Sequence, residues 1–204
     1  VTSAAELKNA VANSGKFNVT EDIDVNETLN VENVGVVLNA AGKKISNSSD
    51  IWNESNGNWS LVSARGANGT SLVIKDGNFE AKENDCFAVD VQDGASVTIE
   101  NGTFVGNVHA VYVFKGTAYI KGGFYSIQQK YSDASKADEF VLNCYDANRA
   151  AGTAKIIVTG GTFVNFNPAD CQAEGAHTNF VADGYKVVSE KQANGDTWYT
   201  VVPA

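Results

Sequence analysis

Four segments of the chain can be laid beneath one another: Trp59 to Phe79 (WSLVSARGANGTSLVIKDGNF), Phe87 to Phe104 (FAVDVQDGASVTIENGTF), His109 to Phe124 (HAVYVFKGTAYIKGGF) and Phe140 to Phe163 (FVLNCYDANRAAGTAKIIVTGGTF). Each reads as strand, Gly or Asp turn, strand, Gly-rich turn and Phe. The closing residues Phe79, Phe104, Phe124 and Phe163 are 25, 20 and 39 positions apart. The last interval is accounted for if two polar stretches, Ser126 to Glu139 and Ala147 to Thr153, loop out. The period of about twenty to twenty-five residues lies in the range of solenoids, where each unit contacts only its neighbours.

Alternation within the strands says how such units stack. In Phe87-Ala88-Val89-Asp90-Val91 the first, third and fifth side chains share one face, and Ala88 and Asp90 share the other. The segments then align in inward columns: Trp59/Phe87/His109/Phe140, Leu61/Val89/Val111/Leu142 and Ser63/Val91/Val113/Cys144. One unit cannot bury its own apolar face, but parallel units about 4.8 Å apart share a core and satisfy each other's backbone groups. With 19 Gly against 2 Pro, and apolar residues leaning toward Val, Ile, Phe and Ala, the composition favours strands and tight turns. The expected fold is all-β, a single-stranded parallel β-helix.

At 204 residues the chain suits one domain. Ser3-Ala4-Ala5-Glu6 has the form of a capping box, predicting a short amphipathic helix over Ala4 to Asn13 within a cap at residues 1–16. Coils are expected over 17–180, beginning with short strands around Phe17 to Val19, Ile23, Val25, Leu29, Val31 and Val36 to Leu38. Over 181–204, Tyr185 to Val188, a turn at Ala193 to Asp196, and Trp198 to Val202 predict a closing β-hairpin.

The opening AAELKNAVA, VTEDIDVNETLNV and VVLNAAGKKIS, the recurring VxIxxGxF, and the closing FVADGYKVV with GDTWYTVV resemble small right-handed parallel β-helix proteins of the pectate-lyase-like superfamily, common in gut bacteria and their phages. The resemblance spans nearly the whole chain. It implies architecture and handedness more than activity, because that superfamily holds polysaccharide lyases, glycosidases, adhesins, phage tailspikes and virion components.

Charge and motifs narrow the chemistry. A net charge of -9 leaves no basic footprint for nucleic acid, and no apolar run is long enough to predict membrane insertion. The start at Val1, the lack of Met and the lack of a signal-peptide pattern are expected of a processed product or a piece of a longer polypeptide. A lyase of this fold would need carboxylates holding Ca²⁺ beside a cationic base, and a glycosidase two carboxylates at about 5 to 9.5 Å. The outward row Val62/Asp90/Tyr112/Asn143, flanked by Ala64/Gln92/Phe114/Tyr145, holds one carboxylate, and Arg65 and Arg149, both at or near turns, do not align beside Asp90. His109 falls in an inward aromatic column, and His177 has only Asp170 and Glu174 near it, so neither predicts a base or a metal site. Cys144 aligns with inward valines, neither it nor Cys86 has a basic neighbour, and Cys171 reads as a loop thiol; three cysteines without CxxC spacing predict no disulfide framework. Seven Asn-x-Ser/Thr sequons, Asn18, Asn26, Asn47, Asn53, Asn58, Asn68 and Asn101, follow from turns rich in Asn, Gly and Thr.

What the row does offer is aromatic faces beside hydrogen-bonding groups, the combination that suits a pyranose ring. Asp90, Gln92, Tyr112, Phe114, Asn143 and Tyr145 are thus the candidate contacts, to glycan or to another subunit. The expected function is a structural or adhesive module without catalytic residues, metal or cofactor: a phage virion component such as a head decoration or fibre, or a bacterial surface protein. Its partners would be virion or cell-surface subunits, polysaccharide, or further copies in a trimer, and its location extracellular. The alternative is a polysaccharide lyase or glycoside hydrolase acting on an acidic polysaccharide.

Overall fold

The computed structural model describes residues 1–82, 84–129 and 139–204. In chain order its strands are β1 (Gly15–Asn18), β2 (Ile23–Asp24), β3 (Leu29–Glu32), β4 (Gly35–Ser46), β5 (Ser60–Arg65), β6 (Ser71–Glu80), β7 (Phe87–Val91), β8 (Ala95–Ile99), β9 (Thr103–Gly106), β10 (Val111–Val113), β11 (Gly116–Ile120), β12 (Phe124–Ile127), β13 (Leu142–Cys144), β14 (Ala154–Val158), β15 (Thr162–Val164), β16 (Tyr185–Lys191) and β17 (Thr197–Pro203). Two short helices, α1 (Ala4–Val11) and α2 (Asp146–Ala150), complete the regular structure together with single 3-10 turns.

Pairing is parallel and in register almost throughout. The long strands β4 and β6 each bend across a corner, so that their first and second halves join different neighbours: β4 takes β1 and β2, and β6 takes β8 and β9. The larger sheet therefore curls as a half-barrel, and a five-stranded sheet in the order β13-β10-β7-β5-β3 accompanies it. The fold is all-β and rich in parallel strands, as the repeat predicts.

Like residues stack on like. Leu38, Ile74, Ile99, Ile120 and Val158 form one fully buried column along the larger sheet. Leu29, Val62, Val89, Val111 and Leu142 form another along the smaller one. Along β6, β9, β12 and β15 of the larger sheet runs an aromatic stack, Phe79, Phe104, Tyr125 and Phe163, with centroids 5.1, 5.1 and 4.9 Å apart and planes within 13° of parallel. That spacing is the strand separation itself, so offset stacking costs the rings no displacement.

Two alignments differ from the sequence reading. Phe124 does not occupy the buried aromatic column; Tyr125 does, paired with Phe104 and Phe163, while Phe124 pairs with Thr103 and Thr162 and meets the Trp198 ring edge-on at 5.0 Å. The positions that stack are those two after the glycines Gly77, Gly102, Gly123 and Gly161. At Gly102, with φ +128, a Cβ would come within 2.6 Å of the Gly77 carbonyl oxygen, so the column admits no side chain there. In β5 the register places Ser60, Val62 and Ala64, rather than Trp59, Leu61 and Ser63, opposite Phe87, Val89 and Val91.

The cause is a bend that a strict period of two misses. Consecutive residues Leu61-Val62, Ala88-Val89, Ala110-Val111 and Val141-Leu142 are all fully buried, so the chain turns a corner at each. Ser60 and Ser63, three apart, both direct their hydroxyls to Asp90. Residues ahead of each corner consequently share the side on which Asp90 lies. Phe87 and His109 stand there, outside the shared core into which the sequence alignment placed them.

The ends are covered much as expected. Ser3 Oγ accepts the Glu6 N–H at 3.2 Å, and Glu6 reaches back to the Thr2 N–H at 3.1 Å, so the capping interaction closes one residue earlier than the standard box. The helix ends at Val11, two residues short of the expected Asn13, and buries Leu7, Ala10 and Val11. At the other end β17 lies antiparallel on β15, and β16 antiparallel on β17, as the hairpin predicts. The Ala147 to Thr153 stretch is partly helical as α2, and residues 130–138 of the other expected excursion lie outside the described residues.

Candidate binding groove

A polar turn builds the wall of an aromatic groove. Residues 53–58 (NESNGN) close on themselves through a mutual backbone pair between Asn53 and Asn58, and Asn53 Oδ1 accepts the Ser55 N–H at 3.0 Å. Gly57 ends the single 3-10 turn at φ +73. Its carbonyl is then held from below: Arg65 Nη2 and Gln92 Nε2 each donate to it at 2.8 Å, and Arg65 Nη1 donates to Asn56 O at 3.3 Å. The turn thereby carries Trp52, Glu54 and Trp59 over the outer side of the five-stranded sheet.

Facing them are Phe87, His109, Tyr112, Phe114 and Tyr145, with Asp85 and Val108 completing a groove of about 370 Å³. Trp59 meets Tyr112 at 6.1 Å and Phe114 at 5.6 Å, inclined by 76° and 63°, while Phe114 and Tyr145 lie 4.8 Å apart. Tyr112 also rests on His109 at 5.2 Å, nearly parallel, and on Phe87 at 5.2 Å. The rings hence form a cornered wall rather than one flat shelf. Tyr145 is 42% exposed, and Tyr112 and Phe114 are half-buried.

Three of the six predicted contacts, Tyr112, Phe114 and Tyr145, are brought together here. Asp90, Gln92 and Asn143 are not on the surface: they are 0%, 9% and 9% exposed, beneath the turn and the rings. Asp90 accepts from the Ser60 and Ser63 hydroxyls, the latter at 3.2 Å, and from Gln92 Nε2 at 2.7 Å. Burial pushes its carboxyl up to about 6, against the pull of Ser60, Gln92, the Arg65 charge and Ser63. Asn143 Oδ1 accepts the Cys144 N–H at 2.9 Å. These groups position the turn and the sheet beneath the groove; the turn that covers them is what sequence alternation did not register.

The groove residues missed by sequence are Trp52, Glu54, Trp59, Asp85, Phe87 and His109. A signal existed in the pairs of consecutive apolar residues that follow Ser60, Phe87 and His109, since two successive inward residues break alternation. His109 is 4% exposed, with Nδ1 2.6 Å from the Phe140 carbonyl, to which a neutral ring donates. Burial lowers it to about 4 against the favourable carbonyls of Phe140 and Val108, so the ring is uncharged near neutral pH. Asp85 is fixed by Gln129, whose Nε2 donates to its carboxylate at 2.6 Å and whose Oε1 accepts its backbone N–H at 2.9 Å.

The remaining candidates lie apart. His177 is exposed and bonded to Asp170 at 2.7 Å. Cys86, Cys144 and Cys171 are buried, and burial pushes the thiols of Cys86 and Cys144 up to about 12. Among the described residues no three His, Cys, Asp or Glu gather as a metal site, and no helix is long and apolar enough to cross a membrane. Comparison with known proteins found no family model, no curated protein and no solved structure that matches this chain.

Proposed function

We propose that the chain is a parallel β-helix module that acts without catalysis at an extracellular surface, as a phage head decoration or fibre or as a bacterial surface protein, and holds glycan in its aromatic groove. The in-register parallel columns and the corners at each buried pair support a coil, and right-handed winding is what parallel crossovers adopt. The observation that carries the binding reading is the cornered wall of Trp59, Tyr112, Phe114 and Tyr145, open to solvent and set on a sheet held rigid by parallel pairing. Asp90, the one carboxylate of the outward row, is enclosed by Ser60, Ser63 and Gln92.

A second reading, polysaccharide cleavage, is favoured by Glu54 and Asp85 lining the same groove. One experiment separates the two. Oligosaccharides are titrated against the protein while indole fluorescence of Trp52 and Trp59 is followed, and the mixtures are then analysed for shortened products. Binding without products, lost by about tenfold or more in Tyr112→Ala/Tyr145→Ala with the fold intact, is the expected result. Products that disappear with Asp85→Asn would establish the enzyme instead, and binding unchanged in the double variant would remove the groove from consideration. The surface assignment is tested by mass spectrometry of purified phage particles beside the cell-envelope fraction.

A further inference from the structure

The charge of the groove selects among glycans. Among the described residues, Glu54 and Asp85 are the ionisable groups that line it besides His109 and the two tyrosines, and none of these lining residues is Lys or Arg. Among the described residues no ion pair or hydrogen bond engages the Glu54 carboxylate, and the turn that carries it is exposed. Arg65, which lies under this turn, is committed to the carbonyls of Gly57 and Asn56 and to Ser63 Oγ at 3.1 Å. The whole chain carries -9.

The rings reinforce that sign. Trp59 stands at 63° to Phe114 and 76° to Tyr112, so a ligand in the corner meets π-faces from more than one direction. Aromatic faces attract cations, and Trp does so best. Carboxylate and π-face therefore act together on a positive group, while a uronate would meet both as repulsion.

From this charge complementarity we infer that the groove takes a glycan bearing protonated amines, a chain of β-linked glucosamine units with free amino groups, rather than an acidic polysaccharide. The inference rests on the groove being a glycan site, as proposed above. It assigns Glu54 the role of pairing with the ammonium at the rim, Trp59 that of packing on the sugar beside it, and Asp85 that of a second, fixed negative charge.

The test compares three short oligosaccharides at mildly acidic pH by calorimetry and indole fluorescence: β-linked glucosamine, its N-acetylated counterpart and oligogalacturonate. Glucosamine is expected to bind about tenfold more tightly than the N-acetylated chain, with oligogalacturonate weakest. Glu54→Gln, an exposed and isosteric change, is expected to abolish most of that preference; Asp85→Asn checks the second charge. Equal or tighter binding of the N-acetylated chain would overturn the inference while leaving the glycan reading standing. Preference for oligogalacturonate would do the same, and binding of none of the three would overturn both.

Discussion

Asp90 is a charge that the fold tolerates at a cost. Fully buried, its carboxyl is pushed from an ordinary 3.8 up to about 6, with burial the largest cause. The native state thus keeps this proton to higher pH than the unfolded chain does. Its contribution to stability is greatest below about 4 and is lost as pH rises through about 6. Above that the buried anion costs on the order of 3 kcal/mol. Asp90→Asn removes the charge but leaves the Gln92 amide facing an amide, so a net gain of about 1 to 2 kcal/mol is expected at pH 7.5. Urea unfolding of the two proteins between pH 4 and 7.5 checks this: the advantage of the variant should shrink as pH falls through about 6. A difference independent of pH would mean that Asp90 titrates alike in the folded and unfolded states, so that burial does not shift it. Nothing in the sequence marks Asp90 as buried, because the cover is supplied by a turn thirty or so residues earlier, brought there by Arg65 and Gln92.

At the scale of the strand, a single-residue shift decides which ring carries the stack. Tyr125 lies 0% exposed between Phe104 and Phe163, and its hydroxyl donates to the Gly122 carbonyl at 2.7 Å. Phe124 points the other way, against Trp198. Tyr125→Ala is therefore expected to cost about 3 to 5 kcal/mol and Phe124→Ala about 1. Thermal or urea unfolding of the pair measures the contrast, and the reverse order would restore the alignment on successive Phe residues. The repeat and its parallel stacking were legible because apolar residues recur at strand spacing. The error at Phe124 arose from matching residue identity, whereas the backbone aligns glycines: Gly102 and Gly123 each precede their stacked ring by two positions. The register of β5 was lost similarly, since Trp59 resembles an inward anchor in composition but stands ahead of the corner at Leu61-Val62. The part of the groove that was anticipated, Tyr112, Phe114 and Tyr145, lies after the corner, where alternation holds.

Taken as a whole, the molecule is a continuous core that runs from Leu7 and Val11 of α1 to Val201 of β17. Parallel stacking has no intrinsic end, because every strand presents to its neighbour the same unpaired N–H and C=O groups that it satisfies on its other side. Here the problem is transferred at the C-terminus to a hairpin. β17 takes the edge of β15 in antiparallel fashion, with Phe163 opposite Tyr199, and β16 takes the edge of β17. The outermost strand is then β16, which carries Lys186, Glu190 and Lys191 and is largely exposed. Charge along a free edge disfavours pairing with another chain, so the hairpin converts an adhesive edge into a solvated one. Truncation after Ala182 should expose the β15 edge and the Phe163 ring together. The expected outcome is concentration-dependent association in sedimentation velocity, with an increased amyloid-dye signal, under conditions where the full chain sediments as one species. Replacing Lys186 and Lys191 by Val in the full chain leaves the hairpin in place but removes the two lysine charges, and a weaker association of the same kind is expected. A truncated chain that remained dispersed, with an unchanged unfolding temperature, would show that the edge of β15 needs no cover and that the hairpin serves some purpose other than ending the stack.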